Sequence, residues 1–216
     1  SAKRIHFATS HKNSLHRVEG PRPTGWLNVP FKDSILPMMK MAVDSSFMLF
    51  ERDTKFGKSC NRRIDSEKEY TSVEKFIEEY REIVFLRDLL DLSIALSMNF
   101  EDNDDYSEIG KLEYEAKYKG SGEAEYKLID ICKGYINKLP YYKKADYICA
   151  MPCSNTGQKS LPRRIVDALD YFENISDDVY WQSKTKSLKE AETIEEKLPI
   201  LEESNLVIDR TLDGKA

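Results

Sequence analysis

Two hydrophobic rhythms run along this chain, and the places where they change mark out its elements. Residues 1–35 hold neither for long. Gly20, Pro21, Pro23, Gly25 and Pro30 interrupt both helix and strand patterns, and only Trp26, Leu27, Val29 and Phe31 alternate enough for a short strand or docking segment. Residues 36–50 (LPMMKMAVDSSFMLF) are apolar at spacings that suit a buried helix. Met38, Met39, Met41 and Met48 make the same stretch adaptable enough to serve a partner surface, with core the favoured use. Residues 51–70 are polar and read as a loop. Thr71 and Glu74 have the spacing of a capping box, and Val73, Phe76, Ile77, Tyr80, Ile83, Val84 and Leu86 then repeat at helical intervals, which predicts a helix to about Leu90.

The rhythm next shortens. Leu92–Phe100 and Lys111–Tyr118 alternate in part and read as two strands joined by an acidic turn, residues 101–108. Glu123–Leu139 returns to helical spacing and Pro140 helps to stop it. Tyr147–Met151 is a nearly all-apolar run, the pattern of a strand covered on both faces. A polar loop, Pro152–Leu161, leads to a helix from about Pro162 to Phe172. Residues 178–182 and 204–209 read as further strands, with a charged helix over 187–203 between them. Helix and strand therefore alternate through the second half, which predicts an α/β fold built on parallel crossovers. The expected organisation is an irregular or helical N-terminal extension, residues 1–70, and an α/β domain, residues 71–216.

Composition narrows the classes. The 216 residues are 40% hydrophobic and 33% charged, too apolar for general disorder. No apolar run approaches the ~20 residues of a membrane-spanning helix, and no secretory signal opens the sequence, so the chain is expected in the cytoplasm. Charge is uneven. Residues 1–63 carry 12 Lys and Arg against 5 Asp and Glu, a balance of +7, and residues 64–216 carry 21 against 33, a balance of −12. The acidic body argues against broad nucleic-acid binding, whereas the basic segment suits phosphates or an acidic partner.

Few side-chain sets offer chemistry. Cys60, Cys132, Cys149 and Cys153 form no zinc set, and Cys149 is expected in the core with Cys153 exposed in a loop. His6, His11 and His16 are five apart, which does not suit a shared metal. The acidic turn lacks the glycine and closing glutamate of a calcium loop. The informative segment is residues 145–169 (ADYICAMPCSNTGQKSLPRRIVDAL). A buried strand enters a loop of Pro152, Cys153, Ser154, Asn155, Thr156 and Gly157, and a helix follows with Arg163 and Arg164 in its first turn. In open α/β folds ligands sit beyond the carboxyl ends of strands. Loop N–H groups with Lys159, Arg163 and Arg164 suit a phosphate or pyrophosphate.

The ordered set KLEYEAKYKG (residues 111–120), a helix, ADYICAMPCS (145–154) and a second helix resembles the type I phosphoribosyltransferases, and within them the competence-protein-F-like branch. The resemblance covers roughly residues 93–216. It implies a parallel sheet flanked by helices that binds phosphoribosyl pyrophosphate with a magnesium ion. It places the pyrophosphate loop at Pro152–Gly157, with Arg163 and Arg164 beside it, and the lid near Lys117 and Tyr118. The chain departs from that family where an adjacent acidic pair and a Thr-Gly-Thr loop are expected. Residues 206–216 (LVIDRTLDGKA) fit the approach to that strand rather than the strand itself, and the branch's cysteine-rich zinc ribbon is absent. Two readings follow. In one, the chain binds phosphoribosyl pyrophosphate or another phosphorylated ligand and is a transferase when its loop is complete. In the other, it is an inactive subunit of a bacterial multi-protein assembly, antiphage defence being one that the resemblance allows, with residues 1–70 docking a protein partner.

Overall fold

The computed structural model describes residues 4–8, 14–55, 57–88, 90–101, 103–153, 158–183 and 191–212. The chain is mixed α/β and divides into two compact units, residues 1–110 and 111–216.

The first unit is built on a four-stranded antiparallel sheet. After β1 (Arg4–Ile5) come β2 (Ser14–Arg17), β3 (Gly25–Val29), α1 (Ile35–Ala42), β4 (Phe50–Thr54) and β5 (Gly57–Ile64), and the sheet order is β2-β3-β5-β4. Residues 51–70, expected as a loop, therefore supply a hairpin. Helix α2 (Glu67–Glu79) follows, then β6 (Val84–Leu86) and β7 (Ile94–Ala95), which join β1 in a second antiparallel sheet, β1-β6-β7. One face of the larger sheet carries Leu27, Val29, Cys60 and Ile64, all buried, with Ile35, Met38 and Met39 of α1 and Val73 and Phe76 of α2 buried in the same unit. Met38 and Met39 are thus core residues. Gly25 shows how closely α2 approaches: a Cβ there would stand 2.7 Å from a ring carbon of Tyr70 and 2.6 Å from the His16 carbonyl oxygen. Buried Ser34 ties α1 to the smaller sheet, donating to the Leu86 carbonyl at 2.8 Å and accepting from the Ser93 N–H at 2.8 Å.

Two boundaries differ from the sequence reading. The cap of α2 is Ser66, whose hydroxyl accepts from the Glu69 N–H, rather than Thr71. The helix stops at Tyr80, and Val84–Leu86 turn into a strand because their three apolar side chains fill the smaller sheet instead of prolonging one helical stripe.

The second unit contains α3 (Glu108–Tyr118, begun at the end of the first unit), α4 (Gly122–Lys138), a 3-10 turn (Tyr142–Lys144), β8 (Tyr147–Ile148), α5 (Leu161–Asp167), β9 (Glu173–Asn174), β10 (Val179–Trp181), α6 (Ile194–Ser204) and β11 (Leu206–Ile208). The predicted strand at Lys111–Tyr118 is a helix. Its alternation, Leu112, Tyr114, Ala116 and Tyr118, also contains the i,i+4 pairs of a helix face, and its Glu, Lys, Leu and Ala residues are strong helix formers. Ser107 accepts from the Gly110 N–H at its start. The other predicted strand, Leu92–Phe100, shrinks to β7 and a bridge between Phe100 and Tyr106 across the acidic turn.

Among the described residues the one parallel pairing is β8 with β9, Tyr147 opposite Glu173 and Ile148 opposite Asn174, joined through α5. β10 and β11 pair antiparallel. The described strands thus contain a single crossover unit and no extended parallel sheet. Leu128 of α4, Leu161 and Val166 of α5, Leu139, Leu169, Ile175 and Val179 are buried in this unit. No helix of the described residues is long and apolar enough to cross a membrane.

Candidate functional site

The loop after β8 and the helix α5 shape a cavity of about 210 Å³ lined by Ala150–Cys153, Gln158–Ser160, Arg163 and Ser176. It lies beyond the carboxyl end of the parallel pair, the position where α/β crossovers hold ligands. Each wall has a local cause. Ser160 caps α5 by accepting from the Arg163 N–H, and Pro162 occupies its first turn, so the chain must leave the loop at Ser160. Buried Ser176 accepts from the Ala150 N–H at 2.9 Å and holds the loop's first residue to the end of β9. Trp181 on β10 donates its indole N–H to the Pro152 carbonyl at 3.0 Å, a second clamp on the same loop.

The cations are organised by carboxylates. Arg163 Nε donates to Asp167 at 2.7 Å, one turn along α5, and its Nη1 reaches Asp177 at 2.8 Å. Lys159 Nζ donates to the other Asp167 oxygen at 2.6 Å, and the Asn174 amide adds a bond at 2.9 Å. The Lys159 contact, with those of Arg163 and Asn174, pulls the Asp167 carboxyl down to about 2, and the Arg163 contact lowers Asp177. Both aspartates in turn raise the Arg163 guanidinium, Asp177 most. The contacts are not equivalent. Arg163 and Asp167 are 19% and 25% exposed, whereas Asp177 is 86% and Lys159 63% exposed. The inner Arg163–Asp167 pair is architectural, and the outer contacts are open to exchange with solvent or an anion.

Of the residues singled out from the sequence, Pro152, Cys153, Lys159 and Arg163 come together at this cavity. Ser154, Asn155, Thr156 and Gly157 lie outside the described residues. Arg164 does not line the cavity. It turns to α4, where it donates to Glu125 at 2.8 Å, and its Nη1 donates to the Lys159 carbonyl at 2.7 Å, so it braces the loop from behind. Lys117 and Tyr118, the expected lid, sit at the end of α3 outside the cavity lining, with the Lys117 ammonium 5.4 Å from the centre of the exposed Tyr118 ring. Cys149, expected in the core, is exposed because β8 ends at Ile148, one residue before it. Partial burial of its sulfur still raises its thiol pKa. Cys153 is exposed.

Asp167, Ser176, Asp177 and Trp181 carry the site's geometry and were not singled out from the sequence. The Arg163–Asp167 spacing of four on a helix was a readable signal. Ser176, Asp177 and Trp181 reach the loop only through the fold.

Magnesium does not fit this donor set. Among the described residues no group of three or more His, Cys, Asp or Glu side chains could hold a metal, and the two carboxylates nearest the cavity already accept from Lys159 and Arg163.

Compared with family models, with curated proteins and with solved structures, the chain matches none.

Proposed function

We propose that the cavity beyond β8 receives a phosphorylated ligand, pyrophosphate or the pyrophosphate end of phosphoribosyl pyrophosphate, in a phosphoribosyltransferase-like protein. The observation that carries this reading is the placement of Lys159 and Arg163 in one cavity at the carboxyl end of the parallel pair β8–β9. The β8–α5–β9 crossover is read as part of a phosphoribosyltransferase-like parallel sheet. A ligand phosphate takes the place of exposed Asp177 on Arg163 Nη1 and draws Lys159 Nζ from Asp167, while Asp167 keeps Arg163 Nε and fixes its plane. Charge-assisted bonds of this kind are the stronger class of hydrogen bond. The chain's own residues bind and orient, and no catalytic residue is assigned.

Calorimetric titration with pyrophosphate, phosphoribosyl pyrophosphate and ribose 5-phosphate tests the reading. Lys159→Ala is expected to weaken pyrophosphate binding about tenfold, the loss of one charge-assisted contact. Affinity equal to that of the unaltered protein rejects the site.

A second reading, an inactive subunit of a larger assembly, is favoured by the exposed apolar side chains. Tyr126, Met151, Leu198 and Ile208 in the second unit, and Met41 and Met48 in the first, are all solvent-facing. Sedimentation of the chain alone and with components of its native host tests this. A lone monomer that co-purifies with nothing counts against it.

A further inference from the structure

The solvent face of the larger sheet carries a second site, in residues 1–110, and its argument does not rest on the pyrophosphate reading. Register decides which side chains share that face. Trp26 stands opposite both His16 and Arg63, Asn61 opposite both Asn28 and Phe50, and Arg52 opposite Ser59. The other face is the buried one that carries Leu27, Val29, Cys60 and Ile64. A cavity of about 360 Å³ opens on the solvent face, with Trp26, Phe50, Arg52, Asn61, Arg63 and Asp65 in its wall.

Three features of this wall point to a ligand. Asn61 is only 6% exposed, yet among the described residues neither atom of its side-chain amide has a hydrogen-bond partner, and it faces the cavity. A buried amide left unbonded is costly, so a donor–acceptor pair waits at the floor of the cavity. Phe50 is 56% exposed on a strand where every position is solvent-facing, so no packing in this unit accounts for its ring. The Arg52 guanidinium lies 5.5 Å from the centre of the Trp26 ring and, among the described residues, pairs with no carboxylate. Arg63 does pair, with Asp65 at 2.8 Å, so Arg52 is the principal cation of the cavity.

We infer that this face binds single-stranded nucleic acid, with splayed bases stacked on Trp26 and Phe50, the Asn61 amide bonded to a base edge and Arg52 on the backbone phosphate. A π-face, a guanidinium and a buried amide together are the elements by which proteins hold unpaired bases. Trp26 and Phe50 sit two strands apart and two residues out of line, about 12 Å between Cα atoms from strand spacings. That far exceeds the ~3.4 Å rise of a stacked strand, so the two rings receive unstacked bases, which a duplex does not offer. The +7 balance of residues 1–63 gives this end of the chain the matching charge, while the −12 balance of the remainder confines binding to it.

The test is fluorescence anisotropy of labelled oligouridine and oligothymidine with the full chain. A duplex of the same length, free uridine monophosphate and inorganic pyrophosphate serve as competitors. Single strands are expected to bind, and the unlabelled duplex and the mononucleotide to compete at least tenfold less well. Phe50→Ala and Arg52→Ala, both at exposed positions, are each expected to weaken binding fivefold or more with an unchanged melting temperature. Asn61→Ala should reduce any preference between uridine and adenosine strands. Absence of binding overturns the inference, as does equal competition by the duplex or by the mononucleotide. Binding that both exposed variants leave intact places the strand elsewhere and overturns it as well. Pyrophosphate is expected not to compete, so failure here is distinguishable from failure of the cavity beyond β8.

Discussion

Replacing Asp167 with asparagine separates the two roles of the carboxylate, because the substitution keeps its shape and removes its charge. Asp167 accepts from Lys159, Arg163 and Asn174 at 2.6, 2.7 and 2.9 Å. An asparagine carbonyl retains one of those contacts and loses the charge assistance of the others. The Lys159 pair is largely exposed and contributes a few tenths of a kcal/mol, and the better-covered Arg163 pair about 1 kcal/mol. A carboxyl held at about 2 instead of its ordinary value sets an upper bound of about 2 kcal/mol. One quarter of this side chain is exposed, and solvent screening lowers the bound, so a loss of about 1 kcal/mol is expected from urea unfolding.

Ligand binding should move the other way. A phosphate in the cavity feels the Asp167 charge as repulsion. At a separation of about 7 Å and an effective dielectric constant of about 40 that repulsion is ~1.2 kcal/mol, or about sevenfold in affinity. Asp167→Asn therefore makes a less stable protein that binds pyrophosphate about sevenfold more tightly at low salt, with the gain shrinking as salt screens it. Calorimetric titration at two salt concentrations measures both. Tighter binding cannot follow from loosening the fold alone. Pyrophosphate affinity that falls or stays constant in Asp167→Asn refutes the exchange of carboxylate for ligand on Lys159 and Arg163.

The remaining predictions concern stability and the loop. Asp167 and Asp177 both have depressed carboxyl pKa values in the folded chain, so their stabilisation is present above the unfolded value near pH 4 and is lost as the pH falls toward about 2. Urea midpoints measured across that window should decline less steeply in Asp167→Asn. Gly25→Ala forces a Cβ to within 2.6 Å of the His16 carbonyl oxygen, a backbone atom, and should cost about 1–3 kcal/mol by thermal unfolding. Phe76→Ala empties a site 1% exposed beside the Phe85 ring, 6.2 Å away, for a loss of about 3–5 kcal/mol. Trp181→Phe removes the donor to the Pro152 carbonyl, costs about 1 kcal/mol and should speed proteolysis in the loop after β8.

What the sequence made legible depended on whether an element buries one continuous stripe. Helix α4 was readable to within a residue or two because its apolar positions recur at helical spacing and Ser121 caps it. β8 and β10 were readable as short apolar runs, and β11 as an apolar triplet after a charged helix. The hairpin β4–β5 was not. Every residue of β4 is exposed, and β5 buries Cys60, Asn61 and Ile64 amid lysine and arginine, so hydrophobicity carried no strand rhythm there. The aromatic and basic face of residues 1–110 was hidden for the same reason: an edge strand that faces solvent looks like a loop until its partner is known. Lys111–Tyr118 failed oppositely, since alternation and i,i+4 spacing coincide over eight residues and only the capping by Ser107 separates them.

The two adjacent arginines of α5 show where reading a site from sequence reaches its limit. Consecutive helical residues diverge by about 100°, so neighbours cannot both serve one small cavity unless it wraps the helix end. Arg163 faces the cavity and Asp177, while Arg164 faces α4 and Glu125, 39 residues away in the chain. A motif of two cations therefore resolves into one that can meet a ligand and one that holds the wall. Removing the first should alter affinity with little change in the loop. Removing the second unties the Lys159 carbonyl and displaces the lysine that the cavity shares with Arg163. Arg164→Ala is thus expected to weaken pyrophosphate binding indirectly and to destabilise the α4–α5 contact by about 1–3 kcal/mol. Arg164→Lys, which keeps a charge toward Glu125 but cannot span it and the carbonyl together, should recover part of the stability and little of the affinity. Full recovery of both would mean that Arg164 acts through charge alone rather than by bracing the loop.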